Sequence, residues 1–111
     1  MTHIYPAEIL PGTLDLLVLR TLTRGPNHGY GIAQRVRELS RDVFQLGESS
    51  LYPALQRLTL DGYIKPDWGV SENNRRARFY TLTAAGRKHL AAERAEFERV
   101  VAAMRLVLDF A

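Results

Sequence analysis

The chain has 111 residues, 46% of them hydrophobic and 24% charged, which suits one core and one domain with no room for a separate catalytic one. The absence of cysteine excludes a disulfide framework, a thiolate zinc site and a cysteine nucleophile together, and fits a reducing cytoplasm. Fifteen Lys and Arg against 12 Asp and Glu give a formal charge of only +3, but 13 of those cations are arginine, and Asn73 to Lys88 carries five of the positive residues with no acid. No apolar run approaches the roughly 18 residues of a membrane span, and Met1 to Pro11 lacks the basic start and long apolar stretch of an export signal, so a cytoplasmic protein is expected.

Thr13 to Arg24 places Leu14, Leu17, Val18 and Leu22 on one face, behind Pro11-Gly12 and ahead of Gly25-Pro26, which predicts a first helix. Ile32, Val36 and Leu39 predict a short second helix from about Tyr30 to Ser40, with Gln34, Arg37 and Arg41 on its polar side. The third helix opens at Glu48-Ser49-Ser50. Pro53 has no amide hydrogen and belongs in a first turn, which makes Ser50 the predicted N-cap. Leu51, Leu55 and Leu58 form the buried stripe of this helix, and Gly62 supplies its left-handed stop.

The period then changes. Tyr63 to Val70 and Ala77 to Leu82 are rich in aromatic and β-branched residues and flank the turn composition Ser71-Glu72-Asn73-Asn74, which predicts a hairpin with a basic tip. Thr83 caps a last helix in which Leu90, Phe97, Val101, Met104 and Leu108 recur at spacings of 7, 4, 3 and 4, close to a heptad seam, with Arg94 at the missing step. About 27 residues at 1.5 Å each reach roughly 40 Å, beyond a compact body whose radius of gyration would be about 13 Å. The protruding seam needs a partner, and a second copy of the chain is the simplest. Phe97, Val100, Val101, Met104 and Leu108 are the candidate dimer contacts.

These elements make a mainly α fold with a small antiparallel hairpin: a winged helix-turn-helix over residues 1–82, including an N-terminal arm 1–11, and a C-terminal dimerisation helix over 83–111 of the same compact unit. With Leu51, Leu55 and Leu58 turned inward, Ser49, Pro53, Gln56 and Arg57 face outward at about 100° per residue, as does Leu60, which has no evident role. In a major groove Gln56 could pair with adenine and Arg57 with guanine or a phosphate; the bland reading is a solvated face. Tyr52, on the flank, and Tyr30, at the start of the second helix, are either phosphate contacts through their hydroxyls or packing residues, and His28 reads as a turn residue. Ser50, at the helix opening, is grouped with the candidate contacts. The tip residues Asn73, Asn74, Arg75, Arg76 and Arg78 have the composition that enters a minor groove. Alternation puts Arg78 on the face of Tyr80, opposite Phe79 and Thr81, and leaves its direction relative to Arg76 open.

Enzymatic chemistry has no candidates: His3, His28 and His89 lack metal-ligand spacing, no glycine-rich phosphate loop follows a strand, and no Ser, His and Asp set stands in a recognisable frame. No catalytic residue, cofactor or metal is expected. The rival to DNA binding is a winged helix that presents its third helix or hairpin to an acidic protein partner.

Four blocks, Leu14-Asp15-Leu16-Leu17-Val18-Leu19, Gly25-Pro26-Asn27-His28-Gly29-Tyr30-Gly31-Ile32, Ser50-Leu51-Tyr52-Pro53-Ala54-Leu55-Gln56-Arg57-Leu58 with Gly62-Tyr63-Ile64, and Tyr80-Thr81-Leu82-Thr83-Ala84-Ala85-Gly86-Arg87, resemble in order the PadR family of bacterial transcriptional regulators. The stretch Trp68 to Tyr80 looks like the short, acidobacterial-type branch. The resemblance covers about residues 10 to 95 and implies a homodimeric winged-helix repressor of a near-palindromic operator on double-stranded DNA, often relieved by a small molecule or stress signal. Long members carry a C-terminal helical domain, which is not expected from the single helix read after the hairpin here, and compact drug-sensing members stack ligands on a tryptophan of the last helix. In this chain Trp68 lies in the hairpin, so the resemblance brings no effector pocket with it.

Overall fold

The core forms where the apolar stripes of three helices meet the base of a small sheet. A computed structural model describes residues 12–111; the proposed N-terminal arm, residues 1–11, lies outside the described residues. Helix α1 (Thr13–Thr21) runs into a 3-10 turn at Leu22–Arg24, and strand β1 (Asn27–His28) leads to α2 (Gly29–Leu39). Helix α3 (Glu48–Leu60), strands β2 (Ile64–Val70) and β3 (Arg76–Leu82) and the long α4 (Ala84–Leu108) complete the chain. Val18, Leu19, Leu22, Ile32, Leu51, Leu55, Leu58, Ile64, Tyr80, Leu82 and Leu90 form one buried cluster, so every helix and both long strands contribute to a single core.

Four local features depart from the expectations above. The hairpin is the larger part of a three-stranded sheet of order β1-β3-β2, because Asn27 and His28 pair with Tyr80 and Phe79. A two-residue strand leaves no alternation to read, and Gly25-Pro26 hides it behind a helix stop. His28 is therefore a strand residue rather than a turn residue, and it also caps α2, its Nδ1 accepting from the Gly31 amide at 3.0 Å. The cap of α3 is Gly47, not Ser50: the Gly47 carbonyl accepts from Leu51 at 3.0 Å, which moves the helix start upstream and leaves Pro53 in the second turn. Pro53 consequently withholds an amide from the Ser49 carbonyl. Leu39 is exposed, since α2 ends there and residues 40–47 turn away through two left-handed residues, Arg41 and Asp42.

Other signals act as read. Gly62, at φ 79°, closes α3 with a left-handed residue, its amide donating to Thr59 and the next amide, Tyr63, to Leu58, which satisfies two terminal carbonyls. Thr83 caps α4 by accepting from Gly86 at 3.0 Å and donates its hydroxyl to Gly62 at 2.7 Å, binding the start of α4 to the end of α3. Gly86 is pressed against this joint: a Cβ there would lie 2.0 Å from the Tyr63 carbonyl oxygen and 2.7 Å from Leu82 Cδ1. The Gly86→Ala protein is expected to lose about 2 kcal/mol or more, a fall in midpoint of about 10 °C in thermal unfolding, because backbone rather than a flexible side chain must move. An unchanged midpoint would show that this joint is loose.

Helix α4 leaves the body. Gly86 and Leu90 are its buried residues, His89 and Val101 are half-buried, and the rest of the helix is exposed. The molecule measures 57 × 34 × 22 Å with a radius of gyration of 15.2 Å, above the about 13 Å of a compact chain of this size. Among the described residues no helix is long and apolar enough to cross a membrane.

Candidate nucleic-acid interface

The register of the hairpin decides which side chains face the helices. Ile64, Pro66, Trp68 and Val70 stand opposite Leu82, Tyr80, Arg78 and Arg76, so these eight residues occupy one face of the sheet. At its base that face is core, through Ile64, Tyr80 and Leu82; toward the tip it overhangs α2 and α3 with Trp68, Arg76 and Arg78. Arg76 belongs to β3, so it points with Arg78, which settles the direction that the sequence left open. Between the strands, Ser71 accepts from the Asn74 amide at 2.9 Å and donates to the Arg75 carbonyl at 2.8 Å, with Asn74 in the left-handed region at φ 57°.

The overhang encloses a cleft of about 1020 Å³ between the hairpin, the start of α2 and the flank of α3. Six of the candidate residues line it: Tyr30, Tyr52, Asn73, Arg75, Arg76 and Arg78. Tyr52 packs its ring on the first turn of α2, where a Cβ on Gly29 would meet it at 3.1 Å, and still exposes 48% of its surface. A neighbouring cleft joins Gln56 to Tyr52, Thr59, Leu60, Arg78 and Tyr80. Of the remaining candidates, Ser49 and Pro53 are exposed on α3, Ser50 is half-buried, and Asn74 is exposed at the turn, none of them lining either cleft. Arg57 is held elsewhere, its guanidinium 2.9 Å from Asp15 of α1.

The charge of the main cleft is positive. Its lining includes Arg35, Arg75, Arg76 and Arg78 against Glu38 and Glu72, and among the described residues no acid pairs with Arg75, Arg76 or Arg78. Arg76 rests instead on the Trp68 ring at 4.4 Å, and Arg78 lies 6.0 Å from the Tyr80 ring. Burial raises the Tyr80 phenol above its ordinary pKa, Tyr52 adds to the effect and Arg78 opposes it, so the hydroxyl stays protonated at neutral pH. Cations and hydrogen-bond donors spread over two elements that straddle a groove can follow a phosphate backbone. Gln34, Arg35 and Trp68 line this cleft and were not among the sequence candidates. Gln34 lies on the polar side of α2, and only the overhang of the hairpin makes that side the floor of a cleft.

Along α4 the candidate dimer residues Phe97, Val100, Met104 and Leu108 are exposed and Val101 is half-buried. At about 100° per residue Val107, also exposed, falls in the same arc. Leu106 and Phe110 are equally exposed but fall outside it, and nothing in the structure explains them. Among the described residues no group of three or more His, Cys, Asp or Glu could hold a metal ion.

Comparison with known proteins agrees with this architecture. The model of the Transcriptional regulator PadR-like family matches residues 18–92. A transcriptional regulator of Mycobacterium tuberculosis, Rv3488, is 36% identical over 93 residues, covering 84% of this chain and 83% of its own. A transcriptional regulator from Clostridium thermocellum has a similar structure, with a TM-score of 0.77 at 30% identity over 85% of this chain and 88% of that one. A PadR family transcription regulator from Clostridium difficile gives 0.75 at 31% identity, over 87% and 99%. The chain therefore belongs to the PadR-like family of transcriptional regulators and is a DNA-binding regulator, not an enzyme.

Proposed function

We propose that the protein is a homodimeric repressor in the cytoplasm that binds a near-palindromic operator, with α3 in the major groove and the β2–β3 hairpin as a wing on the adjoining backbone or minor groove. The observation that carries this reading is the main cleft, where arginines with no acidic partner among the described residues overhang the exposed flank of α3. Tyr30 and Tyr52 reach phosphates from its floor, Arg75, Arg76, Asn73 and Asn74 meet the groove at the tip, and Gln56 reads a base edge. Ser49, Ser50 and Pro53 contact the duplex along the start of α3. Arg57 serves chiefly to fix α3 on α1 through Asp15. The exposed stripe of α4, Phe97, Val100, Val101, Met104 and Leu108, packs on the same stripe of a second copy and sets the two α3 helices about 34 Å apart, one turn of DNA.

Anisotropy titration of a labelled duplex at two salt concentrations tests this reading. Binding that weakens steeply with salt supports it, since each phosphate contact releases counterions. Absence of duplex binding at low salt, with binding to a glutamate-rich peptide, would replace it with a protein-interaction module. Gln56→Ala is expected to leave affinity for random duplex within about two-fold while erasing roughly 1–3 kcal/mol of discrimination at one operator position. Equal losses on operator and random duplex would make Gln56 a backbone contact. Transcription in vitro from a promoter overlapping the operator is expected to fall on adding protein; a rise would make the regulator an activator.

A further inference from the structure

The wing face carries a ladder of alternating rings and guanidinium groups. Trp68 stands directly across from Arg78 in the strand register, while Arg76, the diagonal neighbour, lays its guanidinium 4.4 Å from the indole centroid. Arg78 in turn approaches Tyr80 at 6.0 Å. Trp68 is 59% exposed, so burial does not account for a large apolar ring at this position. Elsewhere on the surface arginines are held differently: Arg37, Arg57, Arg94 and Arg99 each lie against a carboxylate.

The distinction has a chemical consequence. A carboxylate occupies guanidinium N–H donors and cancels the charge, which removes what a phosphate or a minor-groove acceptor would use. An aromatic face attracts the cation through its quadrupole and takes none of the in-plane donors. Arg76 thus rests on Trp68 with its charge uncancelled and its donors untaken by any group among the described residues. An arginine loses rotamer entropy when it is fixed on a ligand, and a ring that fixes it beforehand reduces that loss.

We propose that Trp68 is a positioning residue for nucleic-acid binding, an indole shelf that presents the Arg76 guanidinium to the DNA backbone across the cleft without consuming its donors. The proposal rests on the cleft being a DNA site. Trp68 acts through Arg76 and not by its own contact, so the two substitutions are expected to be coupled.

A double-mutant cycle with Trp68→Leu and Arg76→Ala, read by anisotropy with a random duplex at low salt, tests it. Trp68→Leu keeps an apolar side chain and removes the aromatic face. It is expected to weaken binding about three- to five-fold when Arg76 is present and to have no effect when Arg76 is alanine. Trp68→Phe is expected to recover part of the loss. Thermal unfolding of each variant separates misfolding from lost positioning, and an Arg76→Ala change in the emission of Trp68, the chain's single tryptophan, reports the stacking without DNA. Equal losses from Trp68→Leu in both backgrounds, no loss in either, or no recovery with phenylalanine would overturn the proposal while leaving the cleft as a DNA site. A wild-type protein that binds no duplex would overturn both.

Discussion

Met104→Glu is expected to convert the protein to a monomer in light scattering at micromolar concentration and to abolish operator binding, while the wing and helix core stay folded. Met104 lies mid-stripe on α4, with Phe97, Val100, Val101 and Leu108 in the same arc, and the stripe projects beyond the core, which α4 leaves after Leu90. In the single chain a glutamate there costs little, because Met104 is 50% exposed and the carboxylate can stay in water. In a two-fold interface it is desolvated twice. At several kcal/mol for each buried ion, a total of about 4 kcal/mol or more raises the dimer dissociation constant roughly a thousand-fold. Val101→Glu is expected to act in the same direction, with some loss of chain stability as well, since Val101 is already half-buried within one chain. An unchanged dimer mass for Met104→Glu would remove α4 as the interface and with it the proposed spacing of the two α3 helices.

Arg75→Ala with Arg76→Ala is expected to weaken binding to operator and random duplex alike, about 10- to 100-fold, and to lower the slope of log affinity against log salt by about two. Neither side chain has a carboxylate partner among the described residues, so removing them frees no acid and breaks no ion pair of the fold. The thermal midpoint should therefore stay within a few degrees of wild type. Sequence preference should survive, because Gln56 and the rest of the α3 face are untouched. A double variant that bound as tightly as wild type would show that the wing does not touch DNA.

What the sequence made legible followed from strong periodicity and from punctuation. The buried stripe of α3 is a repeat of leucines and α4 a long helix with recurring apolar residues, and Gly62 and Thr83 are stop and cap residues with a single sensible use. What it hid was set by tertiary contact. β1 is held by pairing with β3 and not by any preference of Asn27-His28. Gly47 replaces Ser50 as the cap because a helix can start on a backbone carbonyl with no side-chain oxygen, and Pro53 is tolerated one turn later than its chemistry suggests. On the site, the tip arginines stood out by charge, but Gln34, Arg35 and Trp68 gain their relevance from the overhang of the wing above α2, a distance in space that spacing along the chain does not encode. Arg57 shows the reverse: outward-facing on the helical wheel, it is claimed by Asp15 of a helix 42 residues earlier.

Selection of random duplexes on the purified protein, followed by sequencing of the bound fraction, tests the central claim most directly. The account predicts enrichment of a two-fold symmetric site whose half-sites are about 10 base pairs apart, centre to centre, as two α3 helices on one DNA face require. Enrichment of a single asymmetric half-site, or no enrichment at low salt, would contradict a dimeric regulator that reads its operator through α3 and grips it with the wing.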